Sequence, residues 1–277
     1  MLTNTFKFNY SVGAVANGIK TDMFTFFLFF FYARVIGLEP LLTSLAIGLA
    51  LVVDSITDPV MGAISDRTNS RYGRRHPYMF VSFIPVSIFY ILLFSPSTEW
   101  GLSQSQLFWW MFICASLTRI GMTLFDVPHR SFGAEITKDY DERTKLFSWR
   151  EMFAWTAGIS NAFLGYFIFF KSTPDYPLGQ LNPEAYFPLA MTGGIFMIIS
   201  ILFSSLRTRN DISNLSSWSG STSFTQMISE LKIAVTNKSF ILFFLGSLSL
   251  SISWGMLNSL TLFINTDFWG LRADQIG

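Results

Sequence analysis

The sequence predicts an all-α, polytopic membrane protein, and three observations point there. Of 277 residues, 51% are hydrophobic and 13% are charged, with 31 Phe and a mean hydropathy of +0.42. Soluble domains carry roughly 25% charged residues, so too little charge is present to cover a water-facing surface. The apolar residues fall into seven long runs rather than alternating patterns. The basic residues gather on one side of those runs.

The runs cover residues 9–36, 41–64, 77–97, 105–128, 149–170, 187–206 and 239–265. Each reaches the ~20 apolar residues that a bilayer crossing needs. Helix is the conformation expected, because isolated strands leave backbone groups unpaired in lipid. Proline and glycine punctuate the joints at Gly37, Pro40, Pro96, Gly101 and from Pro174 to Pro188. Four bases lie in loop 65–76, five in 129–150 and four in 207–238, with Lys7 on the same side. The opposite side holds only Arg34, Lys171 and Arg272. The positive-inside rule then predicts a cytoplasmic amino terminus in a multi-pass protein of the cell (inner) membrane.

Residues 1–206 read as a six-helix bundle and 207–236 as a polar cytoplasmic linker with a short amphipathic helix over 224–236. Residues 237–277 read as the start of a second bundle. FYARVIGL (31–38) and FINTDFWGL (263–271) close the first and seventh runs alike, as parallel transporter repeats do. The chain stops at Gly277, where an eighth span is expected, and is expected to be part of a longer protein.

Charges inside the runs carry the functional signal, since each is unfavourable by ~2.5–3.5 kcal/mol at a span's centre. They are Lys20, Asp22, Asp54, Asp58, Arg119, Asp126 and, at a span mouth, Arg150. Asp54 and Asp58 stand about 40° apart on one helical face. Thr57 and Ser55 lie beside them, and Pro59 frees the Ser55 carbonyl. Such oxygens suit a hard cation such as Na⁺, and paired acids also trade a proton. The plainer alternative is an acid paired with an Arg to lock two helices. Arg119, Thr123 and Asp126 share a face within about 60°, where an internal Arg119–Asp126 bridge is the alternative. Lys20 and Asp22 are about 200° apart and cannot share a face. Trp100, Trp109 and Trp110 fit an interfacial belt, while Trp155 and Trp254 lie deeper, at stacking depth for a sugar.

Several classes lack their parts. A net charge of +1 gives no reason for a nucleic-acid partner, and the lone Cys114 rules out a disulfide framework. No cleavable signal peptide is recognisable at the amino end. There is no Walker loop, no selectivity-filter sequence and no catalytic cluster, so an enzyme is not expected. No cofactor is expected beyond a coupling ion, Na⁺ or H⁺, and no metal beyond a possible Na⁺ at Asp54 and Asp58.

Two longer segments resemble a known family. DSITDPVMGAISDRTNSRYGRRHPYMF (54–80) and FDVPHRSFGAEITKDYDERTKLFSWR (125–150) are similar to the glycoside–pentoside–hexuronide:cation symporters of the melibiose-carrier type. These belong to the major facilitator superfamily, and the resemblance covers most of residues 10–206. It implies a twelve-helix fold and cation binding at Asp54, Asp58, Thr57 and Thr123, Thr57 standing where that carrier has Asn. It implies substrate binding at Asp126 and Arg150, and a cytoplasmic gate motif at Gly62, Asp66, Arg67 and Arg71. The carrier's first-span acid aligns with Gly18, so Asp22 is the displaced substitute, and Arg119 takes a position that is small there. The expectation is a cation:sugar or glycoside symporter working by alternating access as a monomer, with Arg119 and Asp22 completing the substrate set. An acidic sugar, a lipid-like solute on the same fold, or a non-transporting sensor or scaffold are the alternatives. Cavity acids weigh against a scaffold, which has no use for uncompensated charge.

Overall fold

The computed structural model describes residues 2–68, 70–209, 233 and 236–276, and every regular element among them is helical. Six helices are long and apolar enough to cross a membrane: Pro40–Arg67, His76–Leu93, Gln104–Glu135, Tyr140–Phe169, Pro183–Arg207 and Lys238–Phe268. They correspond to the second to seventh predicted spans. The first, over residues 4–36, is helical but jointed. Asn4–Ser11 and Ala14–Asp22 are α-helical, followed by π-helical turns at Met23–Phe27 and Phe31–Ile36 around a short helix, Leu28–Phe30. The predicted linker 207–236, with its amphipathic helix, lies mostly outside the described residues.

Two boundaries differ from the sequence reading in ways that move functional residues. The fourth span continues through Pro128 to Glu135. A proline removes one donor and bends a helix, but neighbouring helices re-satisfy the freed groups inside a bundle. The fifth span starts at Tyr140, where Asp139 caps it by accepting from the Asp141 and Glu142 N–H groups at 2.9 and 3.0 Å. Arg150 is therefore not at a span mouth. It lies well inside the helix and is fully buried.

Glycines set the closest approaches, since no hydrophobic force draws helices together in lipid and small residues let backbones meet. A Cβ on Gly18 would stand 2.0 Å from the Ala154 carbonyl oxygen, which joins the first and fifth spans. One on Gly121 would stand 2.7 Å from the Val86 nitrogen, which joins the fourth and third. Aromatic rings fill the remaining volume. Phe31 and Phe170 pack on Tyr186 with centroids 4.5 and 4.8 Å away. Buried Tyr32 donates to the Leu93 carbonyl at 2.7 Å and Tyr186 to the Gln180 carbonyl at 2.8 Å, while the buried Tyr90 hydroxyl has no partner among the described residues.

The repeated motif closes its two spans with the same backbone. Both end in a π-helical turn followed by a left-handed glycine, Gly37 at φ 87° and Gly270 at φ 62°. In each, the next residue reaches six back, Leu38 N–H to the Tyr32 carbonyl at 2.8 Å and Leu271 N–H to Asn265 at 2.9 Å. Three residues before each glycine stand Arg34 and Asp267, which form a two-pronged pair through Arg34 Nε and Nη2 at 3.0 Å.

The close third–fourth crossing yields a test. Gly121→Ala must push two backbones apart and should lower stability by about 1–3 kcal/mol. Gly48→Ala, whose Cβ would meet nothing within 4 Å, should be neutral or slightly stabilising. Thermal unfolding in detergent compares them, and equal midpoints would refute the packing argument.

Candidate functional site

The two acids of the second span meet the fourth span. Thr123 Oγ1 donates to Asp58 Oδ1 at 2.7 Å and lies 3.4 Å from Asp54 Oδ1, so one hydroxyl bridges both carboxylates. Arg119 Nη1 donates to Asp54 Oδ2 at 2.8 Å, and its guanidinium lies 5.0 Å above the Phe24 ring. Thr57 turns away from the carboxylates, donating to the Asp54 carbonyl at 3.2 Å. Lys20 forms no ion pair among the described residues. Oxygens of Asp54, Asp58 and Thr123 are the ones able to hold a small cation here. No cluster of three or more acid, His or Cys ligands exists among the described residues.

Asp126 belongs to a different network. Arg150 Nη2 donates to one of its oxygens and Arg130 Nε to the other at 2.6 Å, while Arg150 Nη1 reaches Glu151 at 2.5 Å. The Arg119–Asp126 bridge that helical spacing allows is not formed. Arg119 looks to the second span and Asp126 to the fifth, so the structure does not bring these two into one substrate group. Arg150 anchors the network from a fully buried position with its Nε unpartnered.

A cavity of about 270 Å³ opens between the first, fifth and seventh spans. Asn17, Thr21, Asp22 and Thr25 line one wall, Glu151 and Trp155 the second, and Trp254 and Asn258 the third. Asp22 is buried, and Asn161 Nδ2 donates to it at 3.3 Å. Lys20 and Asp22 thus share no partner, as their spacing requires. Glu151 and Asn161 escaped the sequence reading: Glu151 sat in what was read as a span mouth, and Asn161 is an uncharged residue in an apolar run.

At the end holding loops 65–76 and 129–148, a second ionic cluster forms. Arg75 donates to Asp66 and Glu135, both at 2.7 Å, and Arg74 to Glu135 at 2.5 Å. Of the motif Gly62, Asp66, Arg67 and Arg71, only Asp66 joins it among the described residues. Arg71 lies 4.7 Å above the Tyr72 ring, and Gly62 packs loosely on Val127. The arginine that meets Asp66 is Arg75, because the turn at Ser70–Gly73, closed by a 2.9 Å backbone bond, folds the chain back.

Residues 9–277 match the family described as MFS/sugar transport protein. An uncharacterized symporter of Synechocystis is 31% identical over 73% of this chain and 37% of its own. A putative glycoside/cation symporter of Escherichia coli is 32% identical over 54% and 32%. A sodium-dependent lysophosphatidylcholine symporter of Danio rerio is 30% identical over 62% and 32%. The chain thus spans about a third of the length of these relatives.

Arg75→Gln should destabilise the protein far more than Arg71→Gln. Losing one partner of a buried pair costs about 3–5 kcal/mol, and the partial exposure of Asp66 and Glu135 reduces this to about 2 kcal/mol. Unfolding midpoints in detergent decide it, and equal loss in both variants would contradict the pairing.

Proposed function

This chain belongs to the MFS/sugar transport protein family, and on that premise we propose that the whole protein is a secondary active symporter. It couples a cation gradient, Na⁺ or H⁺, to movement of a neutral sugar or glycoside by alternating access. The observation that carries the reading is the cavity, in which two indoles accompany carboxylates and amides. A sugar offers a ring face of C–H bonds for stacking and a rim of hydroxyls for hydrogen bonds. Trp155 and Trp254 match the first need, and Asp22, Glu151, Asn17 and Asn258 the second. Charge-assisted bonds from hydroxyls to such carboxylates contribute ~1.5–3 kcal/mol each.

Asp54, Asp58 and Thr123 form the cation site of this reading, with Thr57 supporting Asp54 through its carbonyl. Asp126 is paired to Arg150 and Arg130, so it shapes the substrate site through Arg150 and Glu151. Two acids on the cavity wall disfavour an anionic sugar there. Arg119 serves the cation site rather than the substrate. The Asp66–Arg75–Glu135 cluster then takes the part of the cytoplasmic gate, with Arg67 and Arg71 at its edge, the amino terminus being cytoplasmic in the inner membrane. A lipid-like solute is the second reading, supported by the name of the Danio rerio relative and by the apolar share of the lining.

Reconstitution of the whole protein tests this. Labelled neutral glycosides should accumulate in proteoliposomes under an inward cation gradient. Asp58→Asn should abolish accumulation while sparing glycoside binding, and Trp155→Ala should weaken binding at least tenfold, or ~1.4 kcal/mol. Movement of lysophospholipid but no glycoside would select the second reading. Undiminished accumulation by Asp58→Asn would exclude coupling at this acid.

A further inference from the structure

We propose that the crevice between the third and sixth spans, at the end holding loop 65–76, binds one anionic phospholipid of the surrounding leaflet. None of the residues lining it lines the substrate cavity, so the lipid is a bound companion of the bundle and not a transported solute.

The crevice encloses about 430 Å³. His76 Nε2 and Thr208 Oγ1 lie 3.1 Å apart in buried surroundings, which fixes the start of the third span against the end of the sixth. The walls change character with depth. Pro77, Phe80 and Val81 of the third span and Leu206 of the sixth line it with apolar surface, and the last three are exposed. Lipid tails are as apolar as these side chains, so an acyl chain lies against them without loss. The polar lining, Tyr72 and Arg209, comes from just outside the two spans, at the level of a headgroup.

Charge selects the headgroup. The Arg209 guanidinium lies 4.5 Å from the centre of the Tyr72 ring, and that of Arg71 lies 4.7 Å from the same ring. Neither has a carboxylate partner among the described residues, whereas Arg74 and Arg75 of the same loop both bond Glu135. Two like charges at one ring repel, and an anion beside them relieves the repulsion. A phosphodiester spreads one negative charge over two unesterified oxygens, one for each guanidinium, and arginine suits phosphate geometry. A choline or ethanolamine head would bring a further cation to the same ring. Basic pockets between spans recognise anionic headgroups in this way. Ser205 supplies a donor for the glycerol ester region. Ser200 and Ser204 of the same helix donate to carbonyls at 3.1 and 3.2 Å, as helical serines commonly do. Ser205 lines the crevice, is 3% exposed, and its hydroxyl has no partner among the described residues.

Retention of labelled phosphatidylglycerol by the purified whole protein, washed free of bulk lipid in detergent, tests the site. Wild type should hold a single lipid per chain, displaced by unlabelled phosphatidylglycerol but not by phosphatidylcholine or millimolar inorganic phosphate. Arg71→Gln combined with Arg209→Gln should weaken retention at least tenfold. Val81→Trp, which fills the apolar wall, should weaken it with both arginines intact, and decides alone if the arginine variant fails to fold. Arg143→Gln removes a base of the same end that lies over Tyr140, outside the crevice, and should change nothing. Equal weakening by Arg143→Gln would reduce the effect to general charge attraction and overturn the site. Equal retention of phosphatidylcholine, or displacement by inorganic phosphate, would do the same. A loss caused by Trp155→Ala but not by the arginine pair would place the lipid in the substrate cavity instead, and the proposal would fall.

Discussion

A charge buried in hydrocarbon must find its opposite, and this requirement organises the bundle. An unmatched charge at a span's centre is unfavourable by ~2.5–3.5 kcal/mol. Pairing removes most of that penalty, but only at one rotation and one depth of each helix. Asp54 with Arg119 therefore sets the second span against the fourth, and Asp126 with Arg150 sets the fourth against the fifth. The same contacts that hold the helices in register also fill the site with fixed charge. Asp22 and Asp58 are exceptions: among the described residues Asp22 is bonded by an amide, Asn161, and Asp58 by a hydroxyl, Thr123, and neither by a base.

The fourth span is the common wall. It carries Arg119 and Thr123 toward the second span and Asp126 toward the fifth, and Gly121 between them presses against the third. A helix tied on three sides makes a poor moving part and a good reference frame. The jointed first span is its opposite. Its π-helical turns begin only at Met23, after the α-helix Ala14–Asp22, in which a two-residue spacing of about 200° already turns Lys20 and Asp22 to separate sides.

Much of this was legible in the sequence, and the remainder was not for identifiable reasons. Hydropathy located six spans that are long apolar helices and a first run that is helical but jointed, because length and apolarity are properties of a segment alone. The acids at a four-residue spacing announced a shared face for the same reason. Partners were harder. Helical spacing favours Arg119 with Asp126, seven residues away, yet Asp54 is closer in space although 65 residues away in sequence. Only the packing of the second and fourth spans decides between them. Asp66 likewise has Arg67 and Arg71 as near neighbours in sequence and meets Arg75 instead, across a turn. Pro128 concealed the true length of the fourth span. The fifth span's early start was hidden by its polar first turns, and with it the burial of Arg150 and the presence of Glu151 on the cavity wall.

The seventh span touches the rest of the described chain mainly near its carboxyl end. Phe263 packs on Phe30 at 4.9 Å, Asp267 meets Arg34, and Gln180 donates to Thr266 and the Leu271 carbonyl. Toward its amino end, its long side chains are exposed. Arg34 and Asp267 hold equivalent places in the two copies of one turn, so a single two-pronged contact ties the tip of the seventh span to the tip of the first.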